Sequence, residues 1–421
     1  EIDTAKLVSL SAGRIDITLP LTSGLSDEVK VALAAAEPQD LSFYYRDASG
    51  NLVATQPDDD DHTIVQISIL PKDNLNFSAS GALNVFAQGD VNLGSEGVAQ
   101  VDRIEATGEI RLKTKQGIVN ARTNSADPVN LRTTVATGHI ILEGGSQGIG
   151  SLGSAGTLGS PGSNAQPLFI DLDTGAGLTA RANGDIHVVN KRGDLRVRDV
   201  FSTGIVDLRA DRSILDGFAI SDPGASLYPK INSNSLYLQA GMGIGSIDNG
   251  LEVSTGTLRA LAERNILLEA VKGSQNPTGN MNVDLVTSSL GDVSLKSRDG
   301  SIFAANSNLV VDTVVGNNVS LLAFNTIGTS EHHLNVNTAH SIPQTSLSTS
   351  SGGNTYITKR VGDLYLNTLA TQHGVASITV KEGSMFNGNR SAIDPSDPKA
   401  HTKPLNEQDP VFSVDPFNPY N

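Results

Sequence analysis

The chain has no cysteine and no tryptophan, and aromatic residues make up only 4% of it. Without cysteine there can be no disulfide scaffold, no thiolate zinc site and no thiol nucleophile. Burial and backbone hydrogen bonds must hold the fold, and 421 residues suffice to bury a sizeable core without staples. Length alone would allow about three ordinary domains. No apolar run approaches the roughly 20 residues of a spanning helix, so direct membrane insertion is not expected. Positive charge is also scarce. There are 30 Lys+Arg against 45 Asp+Glu, for a net charge of -15. That balance argues against nucleic acid, which calls for a basic face, and against adsorption to anionic lipid. The chain opens on Glu1, and LVSLSAGRIDITL (7–19) already reads as strand. The expectation is a mature protein or a piece of a longer one.

Glycine is what the chain has in plenty, with 42 residues, and much of it recurs in one short pattern. ATGEIRL at 106–112 is echoed by ATGHIIL at 136–142. A looser form, Gly, a polar residue, then apolar-x-apolar, appears as GDVNL (89–93), GDIHV (184–188), GDLRV (193–197), GDVSL (291–295) and GDLYL (362–366). NSLYL (234–238), RNILL (264–268) and NNVSL (317–321) are cousins without the glycine. The expected reading is a glycine turn, a polar side chain bonded back to that turn, then a strand of period two. Ile110 and Leu112 face inward while Glu109 and Arg111 face outward. A longer repeat overlies the short one. Gly-Ile-Gly-Ser at 148–151 returns at 243–246, and TIGTS follows at 326–330. The spacings of the central Ile are unequal, 95 and 83 residues, which suggests units of several coils with variable loops.

Short strands, tight polar turns and inward Val, Ile, Leu and Ala fit an all-β fold, a parallel β-helix, in which stacked coils bury one apolar column. Few aromatics suit a narrow column. A string of β-sandwiches is the alternative; it wants larger core residues and regular hairpins, of which RDGSIFA (298–304) is the best candidate.

Four regions follow. Residues 1–17 give the first β-helix strands. Residues 18–74 form a small α/β insertion: SDEVKVALAAAE (26–37) reads as a helix capped by Ser26 and stopped by Pro38, and LSFYYRDASGNLVAT (41–55) as a hairpin turning at Asp47–Gly50. Residues 75–385 are the β-helix body, interrupted by a Gly/Ser-rich loop at 144–163. Residues 386–421 form an extended tail or linker rich in Pro, Asn and Asp.

The repeated GDI/L/V turns, LTARANGDIHV (178–188) and the stretch from Ile149 to PLFID (167–171) resemble large exoproteins of Gram-negative bacteria related to filamentous haemagglutinin. The resemblance covers roughly residues 75–385. It implies a right-handed parallel β-helix, a role in adhesion or as a surface stalk, and export by two-partner secretion. The family's secretion domain with its Asn-Pro-Asn signatures is missing here, so the chain reads as an internal or distal segment.

Each candidate site has a plain alternative. Arg192-Gly193-Asp194 spells an integrin attachment signal, yet Gly193 and Asp194 also belong to the recurring turn, with Arg192 the only novelty. Asp58, Asp59, Asp60 and Asp61 could hold calcium, since hard cations want several carboxylate oxygens; a solvated acidic loop is the alternative. GIGSLG (148–153) lacks the helix that a dinucleotide site needs. His62, His139, His187, His332, His333, His340, His373 and His401 show no metal spacing, and His139 and His187 read as ordinary surface residues. Asp171, Asp173, Asp185, Asp194 and Asp199 could align on stacked coils as a lyase or hydrolase would need, or simply mark corners.

The expectation is a non-enzymatic, secreted or outer-membrane-associated β-helix, a stalk or adhesin segment without a cofactor, calcium apart. It would meet a host-cell or neighbouring-cell surface, a glycan or a matrix protein, as in biofilm. The alternative is a carbohydrate-active β-helix, either a lyase or hydrolase or a glycan-binding module.

Overall fold

The computed structural model describes residues 81–153, 159, 165–218, 228–305, 311–338 and 345–388, with short strands at 2–4, 8–12, 42–46, 52–53, 63–67 and 75–79. It is a parallel β-helix. Outside the 42–67 region, the described strands pair only in parallel, each with the equivalent strand one coil away. One column runs Val91, Ile110, Ile140, Leu178, with each residue the direct partner of the next. Another runs Ile186, Val206, Leu236, Leu258. These are the inward positions of the period-two pattern, and they are almost fully buried. The core contains Leu, Val, Ile, Ala and Met281 but no aromatic side chain. With rungs about 4.8 Å apart, small branched side chains suit so narrow a column.

At one corner of the coil the isoleucines of the longer repeat extend these inward columns, in places through a single bridged pair. Ile118, Ile149 and Ile186 pair in sequence, as do Ile214, Ile244 and Ile266, and then Ile302, Ile327 and Thr355. The longer repeat of the sequence is this corner. Gly150, Gly245 and Gly328 follow the central Ile with φ of 68°, 69° and 66°. Each donates its N–H to the preceding coil, to Ile118 O, Ile214 O and Ile302 O, at 2.8 Å. Only glycine takes that left-handed turn cheaply, and a Cβ would also strike the carbonyl of the next coil.

The short motif works differently from the expected self-closing turn. Its polar side chain reaches forward to the next coil. Asp90 Oδ1 accepts from Glu109 N at 2.8 Å, Asp185 Oδ1 from Ile205 N at 2.8 Å and Asp363 Oδ1 from Ser384 N at 2.9 Å. The bonds also run in series: Asn265 accepts from Asp292 N, Asp292 from Asn318 N, and Asn318 from Ser346 N. The turn N–H groups that open each strand are satisfied this way. Gly108 is required by crowding, because a Cβ there would overlap Asp90 Oδ1.

RDGSIFA forms no hairpin. Val293–Ser297 and Ile302–Ala304 are successive sides of one coil and pair in parallel with other rungs. The expected hairpin at 41–55 is present as backbone, Ser42–Arg46 pairing antiparallel with Leu52–Val53, and Thr63–Ile67 adds a third strand. Among the described residues there is no helix, and none is therefore long and apolar enough to cross a membrane. The proposed helix at 26–37 lies outside the described residues, so the α/β character of the insertion has no support. Its flanks stack on one another: Ile2 pairs with Phe77 and Val8 with Leu83. The last described strand is Met385–Asn387.

Candidate functional site

The inward residues Val200, Ile231 and Val253 of three successive strands pair in register. The residue just before each points outward, so Asp199, Lys230 and Glu252 form one column. Their backbones are tied rung to rung, with Val200 N donating to Lys230 O at 2.8 Å and Lys230 N to Glu252 O at 2.9 Å. An outward column should be wet, but these residues are 3%, 0% and 1% exposed. The cover comes from two aromatic residues, Phe218 and Tyr228. Phe218 and Tyr228 meet edge to face at 6.2 Å over the column. Lys230 Nζ lies 4.2 Å from the Tyr228 ring centre and 5.7 Å from that of Phe218.

Two carboxyls converge on the buried amine. Lys230 Nζ is 3.3 Å from Glu252 Oε2 and 3.7 Å from Asp216 Oδ2, and it donates to Tyr228 O at 3.3 Å. Asp216 Oδ1 accepts Phe218 N–H at 2.8 Å and its Oδ2 accepts Asn249 Nδ2 at 3.1 Å. Burial pushes Glu252 up to about 7, against the pull of Lys230, and raises Asp216 for the same reason. Glu252 therefore carries its proton well above the usual carboxylate range and hydrogen-bonds to Asp216. Asp199 is also raised by burial, although Arg181 pairs with it. Burial likewise drives the Tyr228 hydroxyl up. The flank of the site is His139, whose ring nitrogens face Gly177 N–H at 2.9 Å and the Arg198 guanidinium at 2.7 Å. Burial first, then Arg198 and Arg111, lower His139 to about 4. Arg198 in turn stacks over Phe218 at 4.9 Å.

The residues singled out from sequence are scattered. Arg192 Nε donates to buried Asp171 Oδ2 at 2.8 Å, and Arg132 Nε reaches the same oxygen at 2.9 Å. Gly193 turns with φ of 69°, and Asn190 Nδ2 holds Arg192 O at 2.8 Å. Asp194 Oδ1 accepts Ser213 N at 3.1 Å, the inter-coil bond of every such motif. Asp171, Asp185, Asp194 and Asp199 do not converge; each serves its own inter-coil partner. Asp58 to Asp61 lie outside the described residues, and among the described residues no group of His, Cys, Asp or Glu could hold a metal ion. His187 is a correction. It occupies an outward strand position but is 3% exposed, its Nδ1 is 3.0 Å from Ser151 O, and burial lowers it despite Asp207 nearby. Gly159 lies against this face further up: a Cβ on it would come within 2.7 Å of the Tyr237 ring and 2.9 Å of Arg259.

Sequence reading missed Asp216, Lys230 and Glu252. A signal was present. KINS and EVST both place a charge directly before an inward apolar residue, as DVFS does at Asp199, and aligning the strands on those apolar residues stacks the charges. Away from this column, two shallow hollows open at coil corners. One, of about 400 Å³, is lined by Phe303, Asn282, Gly256 and His332. The other, of about 570 Å³, lies between Phe324, Gly352, Gly353 and His373. No model of a known protein family matches the chain, and no curated protein or solved structure matches it either.

Proposed function

We propose that this chain is a structural and adhesive segment of an extracellular bacterial surface protein: a rigid β-helix that gives reach and presents contact surface along its sides. The observation that carries the reading is where the outward charges go. Asp171, Asp199, Asp207 and Glu269 are each spent on a neighbouring Arg or Lys. Glu252 and Asp216 lie under a hydrophobic cover. A polysaccharide lyase or hydrolase needs carboxylates that a sugar chain can reach, and these are turned to holding the coils together.

A glycan-binding role is favoured by a separate observation. Phe324 is 58% exposed beside a notch floored by Gly352 and Gly353, with His373 on the far side. An aromatic face next to amide and imidazole groups suits a sugar ring. Beads coated with the full chain, applied to cells and to purified polysaccharides, test both roles. Attachment without release of reducing or unsaturated ends is expected. Product release would move the chain to the enzymes. Attachment to integrin-bearing cells that vanishes on Asp194→Glu would make the Arg192–Asp194 turn the contact.

A further inference from the structure

The amine and two carboxyls under Phe218 and Tyr228 are arranged as reactants. We propose that Lys230 and Asp216 condense to an intramolecular amide, with Glu252 carrying the proton. Three features of the site support this. First, proximity is already fixed: Nζ is 3.7 Å from Asp216 Oδ2 and 3.3 Å from Glu252 Oε2, and the Lys230 backbone is pinned on both sides by inter-coil hydrogen bonds. Amine and carboxyl held this way have a very high effective concentration. Second, the site is dry, with the Lys230, Asp216 and Glu252 side chains 0%, 1% and 2% exposed. A dry site disfavours the ion pair relative to neutral amine and acid, and lets the expelled water leave. Third, the two carboxyls differ in their partners. Asp216 receives Phe218 N–H on Oδ1, a donor that polarises that carbonyl and steadies an oxyanion there, while Asn249 Nδ2 orients Oδ2, the oxygen that leaves. Glu252 has the ammonium and Asp216 as its polar neighbours and holds a proton close to both.

The step balances without any co-reactant. Glu252 donates its proton to Asp216 Oδ2 and takes one from the Lys230 ammonium. The freed amine attacks Cγ of Asp216, and the N–C bond forms as Oδ1, held by Phe218 N–H, takes the negative charge. A second proton passes from nitrogen through Glu252 to Oδ2, the Cγ–Oδ2 bond breaks and water departs. Ammonium plus carboxylate has become amide plus water, and Glu252 ends protonated as it began. The competing reaction is attack by the Gly217 nitrogen on the same Cγ to give a succinimide. That N–H is engaged with Val197 O at 2.8 Å, which holds it away. The amide would join Asp216 covalently to Lys230 and give a chain without cysteine a staple that no reductant opens.

The test is the intact mass of the purified full chain after incubation near neutral pH, with an expected deficit of about 18 Da, one water. Trypsin should fail to cut after Lys230. Cleavage before Asp222 should leave the two halves joined. Glu252→Gln, which keeps size and shape, should fold and run at its full sequence mass, and so should Lys230→Arg, which keeps the charge. A wild-type chain at full mass overturns the proposal. So does a deficit that hydroxylamine removes, the mark of a succinimide, or one that persists in Lys230→Arg. A deficit persisting in Glu252→Gln overturns the role of Glu252.

Discussion

The outward faces of the coils are held by two different chemistries. Between residues 102 and 298 the rungs are tied by ions: Arg122 to Asp102, Arg132 to Asp171, Arg181 to Asp199, Lys230 to Glu252, and Lys296 and Arg298 to Glu269. Between 301 and 371 hydroxyls and amides take over. Thr326 bonds Ser301, Asn335 bonds Val311 O, and Asn367 bonds Ser348. Only Arg360–Asp312, at 3.7 Å, continues the ionic style among the described residues of that stretch. The backbone ladder is the same throughout. An inward apolar column sets the register, and the outer faces are free to be charged or neutral. The charged stretch pays for its contacts with more dependence on pH and on partner integrity than the neutral stretch, where burial lowers the Lys359 amine and Arg360 pairs with Asp312.

The largest expected effect comes from breaking a buried pair in the ionic stretch. Arg111 and Glu109 are 2% and 6% exposed and bonded to each other. Arg111→Met leaves Glu109 without its partner and should cost about 3–5 kcal/mol in denaturant unfolding. Adding Glu109→Gln should recover most of it, since a paired replacement strands no charge.

Acid and base should act on the same stretch in opposite directions. Glu252 is raised from 4.5 to about 7, so the folded chain binds more protons than the unfolded one across that interval. Stability should fall as pH rises from 4.5 to 7, by on the order of 3 kcal/mol at most, and Glu252→Gln should flatten the decline. His139 is lowered from 6.5 to about 4, so the unfolded chain binds the proton first. Its share of stability is complete above 6.5 and is lost as pH falls towards 4. Melting temperature against pH reads both slopes, and a wild-type profile unchanged by Glu252→Gln would refute the first.

The neutral stretch has its own flaw. Thr349 is 1% exposed and stands in the inward column between Leu321 and Leu369, with no hydrogen-bond partner for its hydroxyl among the described residues. Thr349→Val should raise stability by about 1 kcal/mol, because the hydroxyl is buried unsatisfied. The smallest effect belongs to Arg192, whose side chain is 70% exposed. Arg192→Ala should cost under about 1 kcal/mol, and less in high salt.

Much of the fold could be read before any coordinates. Ile110, Leu112, Ile186 and Val188 are inward as their alternation implies, and the Ile-Gly corner at 149, 244 and 327 is a true structural repeat. What misled was locality. Asp90 looks like a residue closing its own turn, yet its partner is the N–H of Glu109 a coil away. His187 looks exposed on its strand and is buried by residues from another coil.

The amino-acid pattern by itself determined that this chain coils, which side chains enter the column and which turns need glycine, because those choices rest on sterics within a few residues. Only the tertiary structure decided which charged residues of different rungs meet. Asp216, Lys230 and Glu252 come together through rung pairing, and the number of residues per rung changes with every loop. No fixed spacing announces them. Their chemistry exists only once the apolar column has set the register and Phe218 and Tyr228 have closed over it.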